Sequence, residues 1–243
     1  GVPHADGYWG NCNPREKKNY RTRCSALISS KNTNIIIDTS PDLRIQLIDN
    51  KISNINKVLY SHMHADQTHG INDLRIFFLK QKRIIDVYAD QFTSRYLKNN
   101  FSYCFKKQKN YPQILKLHTI KKNLTFKDKN YKINIQSIPV KHGNVKCLSF
   151  VVNNKLAYAS DVSHIYKKDY KKFKNLKYFV IDCLRFSKHP AHFNYDEVIN
   201  IVHELKPAKT ILTNLHSDLD YNYLLKISPN NVIPGYDGLS FKI

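Results

Sequence analysis

The chain of 243 residues lacks a long apolar run, a C-x-x-C pair and a basic-then-apolar signal region. No apolar run approaches the roughly 20 residues that span a bilayer, which predicts a protein without a membrane partner. The five cysteines are scattered and odd in number, so they form a poor disulfide framework and favour a reducing, cytoplasmic compartment. No initiator Met precedes Gly1, and we expect that the natural chain continues upstream.

Acidic residues are also scarce, since 19 Asp and Glu stand against 39 Lys and Arg, for a formal net charge of +20. Such an excess of positive charge is typical of chains that bind nucleic acid or a phosphorylated substrate, and it argues mildly against neutral substrates. The abundance of Lys, Asn, Ile and Tyr allows a second interpretation, the compositional bias of a genome rich in A and T. Both interpretations stay open at this point.

Extended and helical patterns alternate along the chain without a linker, an internal repeat or a low-complexity break. Apolar residues make up 42%, enough for a sizeable core, and we predict one domain over residues 1–243, truncated at its N-terminus. Strands followed by helices, with hairpins between them, favour mixed sheets covered by helices. The predicted strands are 24–29, 34–38, 57–60, 84–88, 131–139, 148–153, 156–159, 178–182 and 210–215, and the predicted helices are 41–48 with Ser40 as N-cap, 71–80, 91–99 and 195–205.

A cluster of metal-binding residue types follows one of these strands. His62, His64, Asp66 and His69 lie within eight residues, directly after the apolar run Val58-Leu59-Tyr60. Imidazole and carboxylate are the usual ligands of zinc and similar divalent ions. A strand that ends in such a cluster brings several ligands to one point at the edge of a sheet, where rigid scaffolds present chemistry. The segment therefore predicts a metal site.

Further candidate ligands stand where other apolar runs stop, namely His142, Asp161, Asp182 and His216. Each of them alone is more typical of a turn, a cap or a hydrogen-bonded surface residue. Strand ends on one edge of a sheet can converge although they are far apart in sequence. Together with the histidine cluster, these residues suit a two-metal centre in which the carboxylate of Asp161 bridges two cations.

With these residues, the chain resembles the metallo-β-lactamase fold superfamily. Its signature, H-x-H-x-D-H followed by a distant His, a bridging Asp and a final His, here reads His62-Met63-His64-Ala65-Asp66-Gln67, then His142, Asp161 and His216. Within the superfamily, the chain is most similar to the branch typified by phosphoribosyl 1,2-cyclic phosphate phosphodiesterase and related to transfer-RNA 3′-processing endonucleases. The segments that carry this similarity are Gly1-Val2-Pro3, Trp9-Gly10-Asn11-Cys12-Asn13-Pro14, Arg21-Thr22-Arg23-Cys24-Ser25, Gly70-Ile71-Asn72-Asp73-Leu74-Arg75 and His216-Ser217-Asp218-Leu219-Asp220-Tyr221.

The resemblance implies an α/β (α+β) fold, a four-layer αβ/βα sandwich in which two mixed sheets are flanked by helices. It also implies two divalent metal ions, Zn or Mn. The metal ligands that it implies are His62, His64 and His142 for one ion, and Asp66 and His216 for the other, with Asp161 between them.

One position departs from the signature, because Gln67 stands where the superfamily usually has His. A carboxamide oxygen is a weaker and harder ligand than imidazole. We therefore expect a second metal site that is looser, prefers manganese or iron over zinc, or recruits His69 in place of Gln67. A centre with one metal ion is the remaining alternative.

The implied activity is metal-dependent hydrolysis of a small cyclic or nucleotide-like phosphodiester by a metal-activated hydroxide. Asp66 would bind metal and orient the nucleophile, and His192 would act as the general acid, as a histidine at this place does in the branch. Asp182 would orient a ligand histidine. Arg185 and Arg75 carry the fork geometry that binds phosphate, although Arg75 could instead pair with a structural carboxylate.

Three other functions remain open. The first is an RNA- or DNA-processing nuclease, although 98–122 is the only basic insertion that could serve as the docking arm of the transfer-RNA processing relatives. The second is a non-catalytic metal-binding or carrier protein, which Gln67 motivates. The third is hydrolysis of a lactone or thioester, since fold does not determine substrate. A homodimer is a further expectation from the resemblance, and His189 is interpreted as a solvated neighbour of His192.

Overall fold

A computed structural model of the chain describes residues 1–129 and 131–243. The chain divides into two compact units, one of residues 23–133 and one of residues 134–243 together with 1–22. We refer to them as the 23–133 unit and the 134–243 unit. Each has an apolar core of its own. The prediction of a single domain over 1–243 stays a prediction.

The 23–133 unit is built on a five-stranded mixed sheet in which the first hairpin is antiparallel and the following strands run parallel. Its strands, in sheet order, are β1 (Ala26–Ser29), β2 (Asn34–Ile37), β3 (Lys57–Leu59), β4 (Ile85–Ala89) and β5 (Leu115–Thr119). A further strand, β6 (Asn123–Asp128), follows β5 along the chain and is not part of this sheet. Its helices are α1 (Leu43–Asp49), α2 (Ala65–Thr68), α3 (Arg75–Gln81), α4 (Gln91–Asn100) and α5 (Ser102–Phe105), with a 3-10 turn at Ile71–Leu74.

The inner strands of this sheet are apolar runs because both of their faces are covered. Ile35, Ile36 and Ile37 of β2 are all at most 2% exposed, as expected for a strand of a parallel sheet with covered faces. Helix α1 begins later than predicted, with Asp42 rather than Ser40 at the N-cap position. The Ser40 hydroxyl accepts a hydrogen bond from the Asp42 N–H at 3.2 Å. The serine therefore closes a turn ahead of the helix instead of capping it.

The 134–243 unit is built on a second mixed sheet, in the order β12-β11-β10-β9-β8-β7. Neighbours are parallel from β12 to β9 and antiparallel from β9 to β7. Its strands are β7 (Tyr131–His142), which begins in the 23–133 unit, β8 (Val145–Val152), β9 (Leu156–Ala159), β10 (Tyr178–Asp182), β11 (Lys209–Thr213) and β12 (Val232–Pro234). Its helices are α6 (Tyr195–Leu205) and α7 (Tyr221–Ile227), with 3-10 turns at Lys17–Asn19 and Lys167–Lys172.

The parallel register of β9, β10 and β11 decides where polar side chains meet in this unit. Ile181 pairs with Ala159, and Asp182 pairs with Thr213, so the carboxyl ends of the three strands form one edge. Crevices at the carboxyl ends of parallel strands are where open α/β sheets bind ligands. Helix α6 starts next to this edge with a capping box, in which the Asn194 side chain accepts from the Glu197 N–H and the Glu197 carboxylate accepts from the Asn194 N–H.

The predicted fold class is confirmed, with two mixed sheets flanked by helices. The sequence patterns missed six elements, which are β5, β6, β12, α2, α5 and α7. Strand β5 lies inside the basic segment 98–122 and pairs with β4, so part of that segment belongs to the sheet. In the described part of the chain, no helix has the length and apolar character needed to cross a bilayer.

Candidate metal centre

In the 23–133 unit, a chain of hydrogen bonds determines the orientation of His62. The Asp38 carboxylate is fully buried and accepts the Ser61 N–H and the Ser61 hydroxyl, both at 2.7 Å. The Ser61 oxygen lies 3.0 Å from Nδ1 of His62. Since the serine proton points to the carboxylate, Nδ1 of His62 is the donor to the serine oxygen. The neutral ring therefore keeps its lone pair on Nε2, the state that a metal ligand needs.

His64 completes a pair of imidazoles with His62. Nε2 of His62 and Nδ1 of His64 are 2.9 Å apart, and the ring centres are 4.5 Å apart. Two nitrogens that bind the same tetrahedral ion at 2.0–2.1 Å are separated by about 3.3 Å, so this pair needs little movement to chelate a cation. Helix α2 begins directly after His64 and places Asp66 in its first turn. Gln67 is fully buried in the same helix.

His69, the alternative ligand to Gln67, has local contacts. Its Nδ1 lies 3.1 Å from the carbonyl oxygen of Ala65, and its ring packs edge-on against Phe101 with ring centres 5.5 Å apart. These contacts give His69 a structural role at the end of α2. A ligand role for Gln67 or His69 stays a prediction.

In the 134–243 unit, two of the strand-end residues converge with a histidine of the loop before α6. His142, Asp161 and His192 each place one ligand atom within 4.8 Å of the others. His142 ends β7, Asp161 follows β9, and both are buried. Nδ1 of His142 donates to the carbonyl oxygen of Ala191 at 2.7 Å. This bond places the lone pair of the neutral ring on Nε2, again the form that binds metal.

Asp182 orients His192. Its Oδ2 lies 2.6 Å from Nδ1 of His192 and also accepts the Val162 N–H at 2.9 Å. Burial raises the pKa of the Asp182 carboxyl well above its ordinary range, against the opposing effect of the hydrogen bonds from Val162 and Asn214. The sequence predicts that Asp182 orients a ligand histidine, whereas its histidine partner in the structure is His192, the predicted general acid.

His216 stands apart from this trio, at the start of the loop after β11. Its side chain is 46% exposed, and its ring centre lies 4.9 Å from that of His4. Nδ1 of His216 has the Ser217 hydroxyl at 3.3 Å and Oδ1 of Asp218 at 3.8 Å. Burial, followed by the charge of His4, lowers the pKa of His216, which favours the neutral imidazole that a ligand requires.

These donor sets fit divalent metal ions. Each unit presents an imidazole whose Nδ1 is hydrogen-bonded to protein, which leaves Nε2 as the ligand atom, and the 134–243 unit adds the buried carboxylate of Asp161. Histidine and carboxylate suit Zn, Mn and Fe. The residues that could hold metal are thus His62 and His64 in the 23–133 unit, and His142 and Asp161 beside His192 in the 134–243 unit. The ligand set expected from the sequence, which also includes Asp66 and His216, stays a prediction.

Several site residues escaped the sequence analysis. Asp38 follows the apolar run of β2, the same signal that points to the other strand ends, but the sequence pattern marks it only as the end of a hairpin. Asn214 has a positive φ of 60° and donates to Oδ1 of Asp161 at 3.3 Å. Nothing in the sequence marks Ala191, because it contacts His142 through its backbone carbonyl oxygen and not through its side chain.

The two arginines proposed for phosphate have other partners. The Arg185 guanidinium donates to the carbonyl oxygens of Ser187 and Lys188 at 3.2 and 2.7 Å, which braces its own loop. The Arg75 guanidinium lies over the ring of Tyr111, 5.3 Å from its centre, and forms no ion pair with Asp73 among the described residues. Phosphate binding by either arginine finds no support in these contacts.

The fold and these donor sets define a class, the metal-dependent hydrolases of the metallo-β-lactamase fold. A family model described as beta-lactamase superfamily domain matches residues 33–214. The chain therefore belongs to the beta-lactamase superfamily.

Known proteins similar to this chain agree with that assignment. The crystal structure of a new diphosphatase from the PhnP family is 25% identical, with a TM-score of 0.84 over 93% of this chain and 85% of that one. Human tRNase Z, short form, is 12% identical, with a TM-score of 0.70 over 96% and 97% of the two chains, and this likeness concerns the fold alone.

A curated octanoyltransferase of Porphyromonas gingivalis is 29% identical over 245 residues, which cover 98% of this chain and 48% of the relative. The chain spans about half the length of that relative. The transferase activity is that of the whole relative, so the match does not assign it to the shared half.

Proposed function

We propose that the protein is a metal-dependent phosphodiesterase that cleaves a small cyclic or nucleotide-like phosphodiester in a reducing, cytoplasmic compartment. The observation that carries the proposal is the geometry around His192, which the buried Asp182 orients next to His142 and Asp161. This is the arrangement of a proton donor held beside a metal ligand set.

The metal ligands in this proposal are those that the superfamily resemblance assigns, with Zn or Mn as the cation. Bound divalent metal ions supply a nucleophile at neutral pH and Lewis acidity toward phosphoryl oxygens. The residues assigned to them are His62, His64, Asp66, His142, Asp161 and His216.

His192 is the proposed general acid. Its Nδ1–H points to the Asp182 carboxylate, so Nε2 is the nitrogen that takes up and releases a proton. The imidazolium form is stabilised by the buried carboxylate, and donation from Nε2 to the leaving oxygen returns the ring to its neutral form. Asp66 is the residue that we assign to orienting the attacking nucleophile.

The surroundings of His192 suit an anionic substrate. A cleft of about 590 Å³ opens beside it, lined also by Lys141, His164 and His189. The Ala191 N–H donates to Nδ1 of His189 at 3.1 Å, which places the proton of that ring on Nε2 as a donor. His189, interpreted from sequence as a solvated neighbour, therefore offers a hydrogen bond to substrate oxygens.

One similar structure, 25% identical to this chain, is described as a diphosphatase, which supports phosphorus chemistry. The net charge of +20 favours a phosphate-bearing substrate over a neutral ester. The small phosphodiester and the metal identity are proposals on this basis.

The test is an activity screen of the full chain loaded with Zn²⁺ or Mn²⁺. The substrates are bis-p-nitrophenyl phosphate, cyclic nucleotides, a ribose cyclic phosphate and structured RNA. We expect turnover of at least one small phosphodiester, and a loss of at least about 1,000-fold in kcat/KM for His64→Ala and Asp161→Ala. His203→Ala, an exposed histidine in the last turn of α6, is the matched control and should keep wild-type activity. Full metal loading without turnover of any phosphodiester would instead favour a carrier protein.

A further inference from the structure

A second imidazole lies beside His216, and the environment of its ring is unusual. Nε2 of His4 is inaccessible to solvent and has no hydrogen-bond partner among the described residues. Buried ring nitrogens are normally paired, because leaving one unpaired costs free energy. Nε2 of His4 is therefore a buried nitrogen whose partner would have to come from outside the protein.

Backbone hydrogen bonds hold the main chain around His4 in place, and they therefore restrict where its ring can lie. The His4 N–H donates to the Tyr8 carbonyl oxygen, and the Gly7 N–H donates to the His4 carbonyl oxygen, both at 2.9 Å. On the N-terminal side, Val2 and Arg21 exchange two backbone hydrogen bonds at 2.9 and 2.8 Å.

The same segment is fastened to the loop that carries His216. The Asn11 N–H donates to the Ser217 carbonyl oxygen at 2.8 Å. The buried Arg21 guanidinium donates to the carbonyl oxygens of Leu219 at 2.7 Å and of His216 at 3.4 Å. A Cβ on Gly10 would lie 2.5 Å from the Ser217 carbonyl oxygen, so the two segments are in close contact there. His4 and His216 are therefore brought together by rigid main chain.

The separation of the two rings is that of two ligands of one cation. Their centres are 4.9 Å apart with an interplanar angle of 53°, and two imidazoles that share a tetrahedral ion at 2.0–2.1 Å have ring centres about 5 Å apart. The Ser217 hydroxyl and the Asp218 carboxylate lie on the Nδ1 side of His216. A carboxylate on that side favours Nδ1–H and leaves Nε2 as the ligand atom.

We propose that His4 is a metal ligand and that Nε2 of His4 and Nε2 of His216 hold the same divalent cation. The proposal rests on the proposed function, because His216 is there a metal ligand. It adds an imidazole, within the same unit, to the ligand that the resemblance assigns at His216. Within the described part of the 134–243 unit, no third histidine or carboxylate joins this pair in one cluster. The remaining ligands of this ion are thus water, substrate or the residues that the resemblance assigns.

The test measures metal binding directly, with activity as a separate readout. Wild-type chain, His4→Ala and His4→Gln are titrated with Zn²⁺ and Mn²⁺ by calorimetry, and bound metal is counted after gel filtration. We expect two ions per wild-type chain and a dissociation constant for the weaker ion that rises by at least about 100-fold in His4→Ala, more than the loss of an outer partner causes. His203→Ala should leave both dissociation constants unchanged. Equal second-ion affinity in wild type and both His4 variants would overturn the proposal.

A second test uses the wild-type chain alone, so its result does not depend on whether the His4 variants fold. In ¹⁵N-labelled protein, Zn²⁺ binding should shift the Nε2 resonances of His4 and His216 together, at the stoichiometry of the second ion. A shift of His216 without His4 would refute the role of His4 while leaving the proposed function intact. Two bound ions with both shifts but no phosphodiester turnover would support His4 as a ligand and contradict the phosphodiesterase. If the wild-type chain binds no metal, both proposals fail.

Discussion

Oδ2 of Asp182 lies 2.6 Å from Nδ1 of His192, and the carboxylate is fully buried at the end of β10. This contact fixes the ring orientation of His192 and places its proton on Nδ1. The Val162 N–H shares the same oxygen at 2.9 Å, so the carboxylate is itself held in place. The pair is the part of the site on which the proposed acid catalysis depends.

Asp182→Asn should therefore impair catalysis without unfolding the chain. The carboxamide keeps the shape of the side chain but cannot stabilise an imidazolium, so we expect kcat to fall by about 100- to 10,000-fold. Steady-state kinetics across pH would show this as a loss of the limb that reports the acid. Asp196→Asn, at an exposed position in the first turn of α6, is the control. A variant with wild-type kcat and an unchanged pH profile would contradict the role of Asp182.

Asp38→Asn should weaken the metal ion that His62 holds. Without the carboxylate, the Ser61 hydroxyl no longer orients Nδ1 of His62, and we expect the affinity for that ion to fall by about 10- to 100-fold. Chelator competition with Zn²⁺ measures the change, and Ser61→Ala should show part of it. The matched control is Ser25→Ala, since the Ser25 hydroxyl bonds to the backbone carbonyl of Asp38 at 2.9 Å and not to its carboxylate. Equal affinities for Ser61→Ala and Ser25→Ala would argue against the relay.

Gly70→Ala should destabilise the 23–133 unit. An added Cβ would lie 2.0 Å from the Ser40 carbonyl oxygen and 2.9 Å from Cβ of Leu43, which forces the loop after α2 to shift. We expect the free energy of unfolding, measured in urea, to fall by about 3 kcal/mol. Gly7→Ala is the comparison, because Gly7 has a φ of 85° but nothing within 4 Å of an added Cβ, and it should cost only about 1 kcal/mol. Similar losses in both variants would show that the Ser40 contact is not the cause.

Asp86 predicts a pH dependence of stability in the 23–133 unit. Burial acts to raise its pKa, but the hydrogen bonds from His118 at 2.7 Å and Lys57 at 3.2 Å outweigh it and hold the pKa below its ordinary value. A lowered carboxyl pKa contributes stability above the unfolded-state pKa of about 3.9, and this contribution is lost as the pH falls through the folded-state value.

The substitution Asp86→Asn should then lower the free energy of unfolding by about 1 kcal/mol at pH 7. The difference from wild type should shrink as the pH falls through the folded-state pKa of Asp86. Asp49→Asn, at the exposed end of α1, should show no such pH-dependent difference. A loss that stays the same size across the whole acid range would mean that packing, and not the charge, makes the contribution.

Strand ends were readable from the sequence because an apolar run that stops at a polar residue is a local pattern. It located His62, His142, Asp161 and Asp182 at the places where the structure has the ends of β3, β7, β9 and β10, or the residues just after them. The same pattern was less accurate near His216, since β11 ends at Thr213. Asn214 takes a positive φ of 60° there, and a tertiary bond to Asp161 accompanies that turn.

Strands β5 and β12 were not predicted because their sequences carry little local pattern. Strand β12 has three residues, and β5 mixes lysine and histidine with its two leucines. Neither carries enough periodic pattern to be distinguished from a loop. Both are strands because a neighbouring strand already presents its hydrogen-bonding edge, β11 to β12 and β4 to β5.

The sequence by itself determined the types of ligand, their order along the chain and the superfamily, since these depend on residue identity and spacing. Only the tertiary structure decided which ring nitrogen of His62, His142 and His192 carries the proton. Asp38 acts through Ser61 on His62, the Ala191 carbonyl acts on His142, and Asp182 acts on His192. Most of these partners lie far apart in the sequence, and the hydrogen bonds between them exist only once the strands are side by side.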